Sequence, residues 1–410
     1  MVPWLRRFCA LLCLLLMLSP AVAYAEPVEE ARALWVVRTD MYSKANIDFM
    51  FNLAKVMGAN VLIVQVTAGG ETVVRSELYP RSPHVVQGFD PLAYVIELAH
   101  AEGIEVHAWI NALVLGGFST RPSDPMHIVN ARPEFITYSA DGRSLLEYLG
   151  RLTANIPSDL PGLMLEPTLP AVRAHVAAHA AEIARNYDVD GIHLDYIRYA
   201  GRGYGYHPET REAFKAEYGY DPLEFAPPNA VAFAEQHGVA LRAQLERAWD
   251  DYRRDAVTQT VVEVYEAVTA EKPWVVVSAS VFANQNDAYQ HRFQDWTKWL
   301  REGLIDLVIP MAYGTNPLVV RQQIAVATQS ARLSGRHVYA GLGIYNIGAD
   351  RQTLTTMIED SRELGAQGFS LFSYQSIVGD LNTFLMVREM FGQGERPAVP
   401  AMPWKPSRPD

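Results

Sequence analysis

Eight short apolar runs, each followed by a longer stretch of helical spacing, leave this chain few folds to choose from. The runs are 32–38 (RALWVVR), 60–66 (NVLIVQV), 104–110 (IEVHAWI), 191–196 (GIHLDY), 274–281 (WVVVSASV), 305–311 (IDLVIPM), 337–342 (HVYAGL) and 368–372 (GFSLF). Runs this short and this continuously apolar read as strands buried on both faces, which is the environment of parallel strands covered by crossover helices. Helical spacing follows at Ile47 to Met57, Leu92 to Ala101, Val172 to Tyr187 and Leu354 to Leu364, with a closing helix at Leu381 to Phe391. Repeated eight times, the alternation predicts an α/β chain folded as a (β/α)8 TIM barrel. A length of 410 residues at 49% apolar content is enough to bury a core of that size.

The flanks of the barrel have a different composition. Arg6 and Arg7 precede an apolar run from Phe8 to Leu18 and then Ala23-Tyr24-Ala25, so residues 1–25 read as a cleaved signal peptide and predict a periplasmic or secreted protein. The run is shorter than the roughly 20 residues a membrane helix needs, and no later stretch is long enough, so no membrane span is expected. Cys9 and Cys13 both fall in this leader, which leaves the mature chain without a thiol or disulfide. Residues 26–392 carry the barrel pattern, and 393–410 form a proline-rich tail, expected to be extended or disordered. Net charge is −11, and it becomes more negative once Arg6 and Arg7 are removed, which opposes nucleic-acid binding. Two connections exceed a simple crossover: Asn111 to Pro170 after strand 3, and Ala200 to about Trp249 after strand 4, with a helical segment near Pro208 to Tyr218. Loops of this length at the catalytic face of a barrel are expected to build substrate walls.

Barrel chemistry sits at the C-terminal ends of strands, so the residues delivered there are the candidates. Strand 1 ends in Arg38 and Asp40; strand 2 runs into TAGGE, where a glycine pair that lets backbone approach a ligand precedes Glu71. Strand 3 delivers His107, Trp109 and Asn111, and strand 4 delivers His193, Asp195 and Arg198. Asp295 opens the helix before strand 6, Tyr313 follows that strand, and Tyr345 follows strand 7. A ring of carboxylates, amides and aromatics suits a sugar, whose hydroxyls take polar partners and whose C–H face stacks on rings. Asp195 is the sharpest candidate, because period-two alternation turns His193 and Asp195 into the barrel and Ile192 and Leu194 out of it. Glycoside hydrolysis ordinarily needs two carboxyl groups. Glu71 and then Asp295 are the candidate partners, set against a solvated loop acid for Glu71 and a helix N-terminal residue for Asp295. Asp195 itself has a plainer alternative, an ion pair with Arg198 or Arg38 that ties the barrel top together. Trp109 and Tyr313 read equally as sugar platforms or as core, and His107 and His193 as barrel-interior histidines. Without cysteine or a close His/Asp/Glu cluster no metal and no cofactor is expected. The signatures of phosphate loops, serine nucleophile elbows and zinc proteases are absent.

Taken together, RALWV, NVLIVQV with GGETVVRSELYP, VHAWIN, YDVDGIHLDYIRY and FQDWTKWLREGLIDLVIPMAY resemble, in order and spacing, the glycosyl-hydrolase-like family-ten proteins of bacteria, over about Arg32 to Phe391. That resemblance implies a TIM barrel, export to the envelope and activity on glycans, with some relatives similar to enzymes that cut peptidoglycan glycan strands. It places the family's strand-4 acid at Asp195, the acid after strand 2 at Glu71 and the acid of the QDW segment at Asp295. Family members often carry aspartate where Glu71 stands and tyrosine where Val74 stands. A more distant likeness is to the family-eighteen chitinases, whose strand-4 pattern falls on Asp190, His193, Asp195 and Ile197, with isoleucine in place of the proton-donating glutamate; Met311-Ala312-Tyr313 matches their strand 6. The expectation is an exported glycoside hydrolase acting on an envelope polysaccharide such as peptidoglycan glycan strands or another N-acetylated glycan. The alternatives are a glycan-binding barrel without turnover and, more remotely, a metal-dependent deacetylase.

Overall fold

A computed structural model describes residues 29–151, 156–392 and 396–409, so the leader at 1–25 with both cysteines lies outside the described residues. The eight expected runs appear as β1 (Ala31–Val36), β2 (Val61–Ala68), β3 (Glu105–Asn111), β4 (Gly191–Asp195), β5 (Val276–Phe282), β6 (Leu307–Ala312), β7 (His337–Gly343) and β8 (Gly368–Phe372). Each pairs in parallel with the next, and β8 returns to β1, with Ala31 opposite Gly368 and Leu34 opposite Leu371. The sheet is therefore a closed (β/α)8 barrel with no free edge among these strands.

Around it lie α1 (Lys44–Met57), α2 (Pro91–His100), α3 (Pro170–Asn186), α4 (Val239–Glu271), α5 (Trp296–Arg301), α6 (Pro317–Arg332), α7 (Arg351–Glu363) and α8 (Leu381–Met390). Polar caps and prolines start them: Ser43 accepts from the Asn46 N–H, Asp90 precedes Pro91, and Asn316 precedes Pro317. Strand alternation sorts the core into two layers. Leu34, Val36, Leu62, Val64, Ile192 and Leu194 point outward into the strand–helix layer. Ala31, Ala33, Trp35, Ile63, Trp109 and Tyr339 fill the barrel interior. The interior is tight enough to require glycine at one position: a Cβ on Gly191 would come within 2.5 Å of the His107 ring. His107 sits fully buried at that level, and the strands can close around it only because β4 begins without a side chain.

Both long connections leave the barrel at the C-terminal ends of β3 and β4. The first carries a short antiparallel pair, Val114–Gly116 with Leu163–Met164, and is pinned by buried Glu166. That carboxylate accepts from the Thr137 and Thr168 hydroxyls at 2.5 and 2.8 Å and from the Tyr199 hydroxyl. The second connection forms three short helices around Phe214, Phe225, Phe233 and Trp249, a separate small core seated on the first half of α4.

The described part of the proline-rich tail, residues 396–409, takes no regular secondary structure, yet it runs across the opposite, N-terminal face of the barrel. Asn60 Nδ2 donates to Pro397 O at 2.9 Å, Glu30 N to Ala398 O at 2.9 Å, and Val399 and Met402 pack under the interior cluster. Trp404 Nε1 then donates to Asp306 at 2.7 Å and Arg408 pairs with Asp190 at 2.7 Å. The tail thus closes the floor of the barrel.

Candidate active site

The strand ends at the mouth surround a cavity of ≈ 360 Å³. Asp195 lies at the end of β4, half-buried and opening into it. Asn111, Gln65, Ser280 and Arg198 supply the other polar lining, and Trp35, Trp109, Tyr196, Tyr313 and Phe372 supply aromatic walls. Tyr313 stacks on Phe372 at 5.5 Å between centroids and meets Trp35 edge-on at 6.3 Å, while exposed Tyr345 packs edge-on against Tyr313 at the rim. A continuous aromatic surface thus leads from solvent to Asp195. Flat rings beside a few fixed polar groups are what a pyranose needs for stacking and orientation.

Burial is the main influence on Asp195, and it pushes the carboxyl up to about 6. Opposing it are the charge of Arg198, the Tyr196 N–H bound to Oδ1 at 2.7 Å, and the Trp109 indole, whose N–H also reaches Asn111 Oδ1 at 3.1 Å. A carboxyl poised there holds its proton in mildly acidic solution and can release it, the property of a general acid. Backbone strain sits next to it. Tyr196 has φ of 52°, a left-handed conformation that side chains seldom adopt, and the Arg198 N–H donates to Tyr196 O at 2.9 Å. This tight turn ends β4 and carries Arg198 back beside the Tyr196 ring.

A buried polar layer centred on His193 underlies the cavity floor and meets it through Ser280 and Trp35. His193 Nδ1 meets Ser278 Oγ at 2.8 Å; its Nε2 meets Ser280 Oγ at 2.7 Å and accepts from Trp35 Nε1 at 3.2 Å. An acceptor at Nε2 assigns the proton to Nδ1, and burial lowers the imidazole to about 3, so the ring is neutral. His107 is likewise buried, with Nε2 at 3.2 Å from Glu105. Both histidines hold the interior together and support the floor; neither lines the cavity.

Of the residues anticipated from the strand ends, Asp195, Asn111, Trp109, Arg198 and Tyr313 are brought together here, with Tyr345 at the rim. The remaining acids are placed elsewhere. Asp295 caps α5, accepting from Lys298 N at 3.2 Å and Thr297 Oγ1 at 3.0 Å, which is the helix-terminal role. Glu71 pairs back onto Ala68 at the end of β2 and is not among the lining residues. The glycine pair before it faces protein: Arg38 lies against Gly69 and donates to Ala68 O, and a Cβ on Gly70 would strike the His127 ring. Arg38 therefore ties two strand ends together. Asp40 holds a buried Oδ2 without a partner, and burial raises its pKa. Among the described residues no group of three or more His, Cys, Asp or Glu could hold a metal. Trp35, Gln65, Ser280 and Phe372 were not singled out in the sequence; Trp35 and Gln65 alternate in step with interior Ala33 and Ile63 of their strands.

The closed (β/α)8 barrel is a fold shared with glycoside hydrolase domains of known structure. It is similar to the PgaB (BpsB) glycoside hydrolase domain from Bordetella bronchiseptica, with TM-score 0.63 and 16% identity over 87% of this chain and 98% of that one. It is also similar to a β-galactosidase from Bacillus circulans sp. alkalophilus, with TM-score 0.61 and 14% identity over 89% of this chain and 55% of that one. The glycosyl hydrolase-like 10 family profile matches residues 30–356, and the chain belongs to that family. Similar curated relatives are glycosyl hydrolase YngK of Bacillus subtilis (strain 168), 24% identical over 94% of this chain and 76% of the relative, and glycosyl hydrolase DigH of Escherichia coli (strain K12), 23% identical over 76% and 68%. No helix among the described residues is long and apolar enough to cross a membrane.

Proposed function

We propose that this protein is an exported glycoside hydrolase that cuts a cell-envelope polysaccharide, peptidoglycan glycan strands or another N-acetylated glycan, with Asp195 as proton donor. The observation that carries the reading is Asp195 itself, a carboxyl raised to about 6 at the floor of an aromatic cavity. In this reaction a sugar ring stacks against the Tyr313 and Trp109 walls while Asn111 and Gln65 orient its hydroxyls. Asp195 passes its proton to the glycosidic oxygen as that bond breaks, and the anomeric carbon gains positive character. Among the described lining residues Asp195 is the only carboxyl group, so the substrate's acetamido oxygen is the nucleophile that best completes the reaction. Water then hydrolyses the cyclised intermediate, with Asp195 acting as base.

The same lone carboxyl supports a second reading, a barrel that binds glycan without turnover. One experiment separates them. Wild type and Asp195→Asn are incubated with purified glycan strands, with and without stem peptides, and new reducing ends are followed by mass spectrometry. Release by wild type, reduced in the variant by about 10²- to 10⁴-fold, is the expected result for a general acid. Binding by both without release would replace the hydrolase reading by the receptor reading.

A further inference from the structure

Three arginines are buried among the described residues: Arg198, Arg253 and Arg254. Arg253 pairs with Asp250 at 2.8 Å and donates to the Arg202 and Tyr204 carbonyls; Arg254 pairs with Asp251 and donates to Tyr289 O at 3.2 Å. Arg198 differs from both. It is 9% exposed, its Nε has no hydrogen-bond partner, and its one side-chain hydrogen bond among the described residues runs from Nη1 to Tyr199 O at 3.4 Å. Its guanidinium lies between the Tyr196 and Phe282 rings, 4.8 and 4.7 Å from their centroids, and it lines the cavity beside Asp195. A buried cation with unfilled donors is costly unless something else fills them, and a planar guanidinium is shaped to bind a carboxylate through two parallel hydrogen bonds.

We propose that Arg198 is a specificity residue that binds a carboxylate carried by the glycan, so that the cavity selects acidic sugars over neutral ones. This deepens the glycan-hydrolase reading and rests on it. The surrounding charges favour an anion. Arg292, 4.6 Å from the Phe282 centroid, pairs with Asp287 and leaves Arg198 as the uncommitted cation of this wall. Asp287, the other acid in this neighbourhood, is committed to His291 and Arg292 at 3.0 and 3.2 Å. Asp195 is the one acid that would oppose an incoming carboxylate, and in its protonated form it does not. Conversely, an anion on Arg198 removes the positive charge that favours ionised Asp195, so an acidic substrate helps keep the donor protonated. The two rings fix the guanidinium plane in advance, which limits the ordering cost of binding.

Two sources offer this chemistry on an N-acetylated backbone: a uronic acid in the chain, or a lactyl ether on an amino sugar. Binding is measured by calorimetry for three oligosaccharides of matched length. These are a neutral chito-oligosaccharide, a hyaluronan fragment bearing uronates, and peptide-free peptidoglycan glycan bearing lactyl carboxylates. Wild type is expected to bind at least one acidic ligand about tenfold or more tighter than the neutral one, with the preferred ligand naming the source. Arg198→Met should bring the acidic-to-neutral ratio close to one, whatever the absolute affinities, and Arg198→Lys, which keeps charge but not the fork, should give an intermediate ratio. Equal binding of neutral and acidic ligands by wild type overturns the proposal and leaves the glycan site intact. An unchanged ratio in a folded Arg198→Met also overturns it. Failure of all three ligands to bind would remove the glycan reading and this inference with it.

Discussion

The two ends of the barrel each hold a buried or half-buried aspartate, and they treat it in opposite ways. Asp306, just before β6 at the closed end, is fully buried and meets five groups, four as hydrogen-bond donors and Lys405 as an ion pair. These are Val277 N at 2.9 Å, Tyr265 Oη at 3.1 Å, Trp404 Nε1 at 2.7 Å, Arg336 Nη1 at 3.2 Å and Lys405 Nζ at 2.9 Å. Asp195, at the end of β4 in the open mouth, is held by Tyr196 N and a shared contact with Trp109, with Arg198 acting by charge alone. A carboxylate offers about four acceptor positions. At the closed end they are filled by the protein, and the result is a knot joining α4, β5, β6 and the tail. At the open end most are left for a ligand, and the cost appears as a raised pKa. The same side chain stabilises the fold in one place and, in the proposed function, serves chemistry in the other.

The largest effect expected from this contrast is on stability at the closed end. Asp306→Ala leaves Lys405 and Arg336 without their shared anion and three neutral donors unsatisfied, and should cost about 3 to 5 kcal/mol in denaturant unfolding. A loss below about 1 kcal/mol would mean that the knot is not a stabilising element. Asp195→Asn should do the reverse. Asp195 titrates at about 6 in the folded chain against 3.8 when unperturbed. Between those values the native state binds more protons than the unfolded state, so stability falls as pH rises through the window and then levels off. Because the side chain is partly exposed to the cavity, asparagine should stabilise the protein at pH 7.5 by only about 1 to 2 kcal/mol, and by nothing at pH 3. Comparing urea midpoints of wild type and variant from pH 3 to 8 tests the sign. The turnover of wild type should fall as pH rises above 6, with the donor's ionisation. A variant less stable than wild type at pH 7.5 would show that Asp195 supports the fold as Asp306 does.

This contrast also marks how much could be read in advance. Every barrel strand was legible to within two residues, because a strand buried on both faces is written in consecutive apolar side chains. Asp195 was legible for a related reason: period two assigns its direction once β4 is recognised. Whether Glu71 or Asp295 partners it was not, since both become candidates by chain position, while their distance from Asp195 depends on how loops fold. Asp295 follows the local logic of a helix cap. TAGGE invited a ligand to its glycines, but the groups pressed against them, Arg38 and His127, are 31 and 57 residues away from Gly69 and Gly70 in a chain whose loops carry no periodicity. Trp35 and Gln65 were hidden for the opposite reason, as one aromatic and one amide inside strands that already read as core. The tail was the least legible part. Proline-rich composition describes its local conformation, and its place under the barrel is decided by Asp306 and Asp190, which precede distant strands.

The smallest effect expected concerns the last of those contacts and separates a tail held by its apolar and buried groups from one held by surface charge. Arg408 pairs with Asp190 at 2.7 Å, but its side chain is 32% exposed, so Arg408→Ala should cost only about 0.5 kcal/mol near neutral pH. His100 shares the same acid at 2.9 Å, and that hydrogen bond raises the imidazole pKa. Its contribution is therefore complete below the unfolded value of 6.5 and is lost as pH rises through the higher folded value. In acid, Asp190 has two cations and Arg408 repels protonated His100; in base, Arg408 is the cation that remains. The cost of Arg408→Ala should accordingly grow from near zero at pH 5.5 to its full size at pH 8.5, measured as the difference in thermal midpoint from wild type. A cost that is largest in acid would reverse the assignment of His100 as the competing partner. A cost of several kcal/mol at any pH would mean that the floor is held by its rim charges rather than by Trp404 and Asp306.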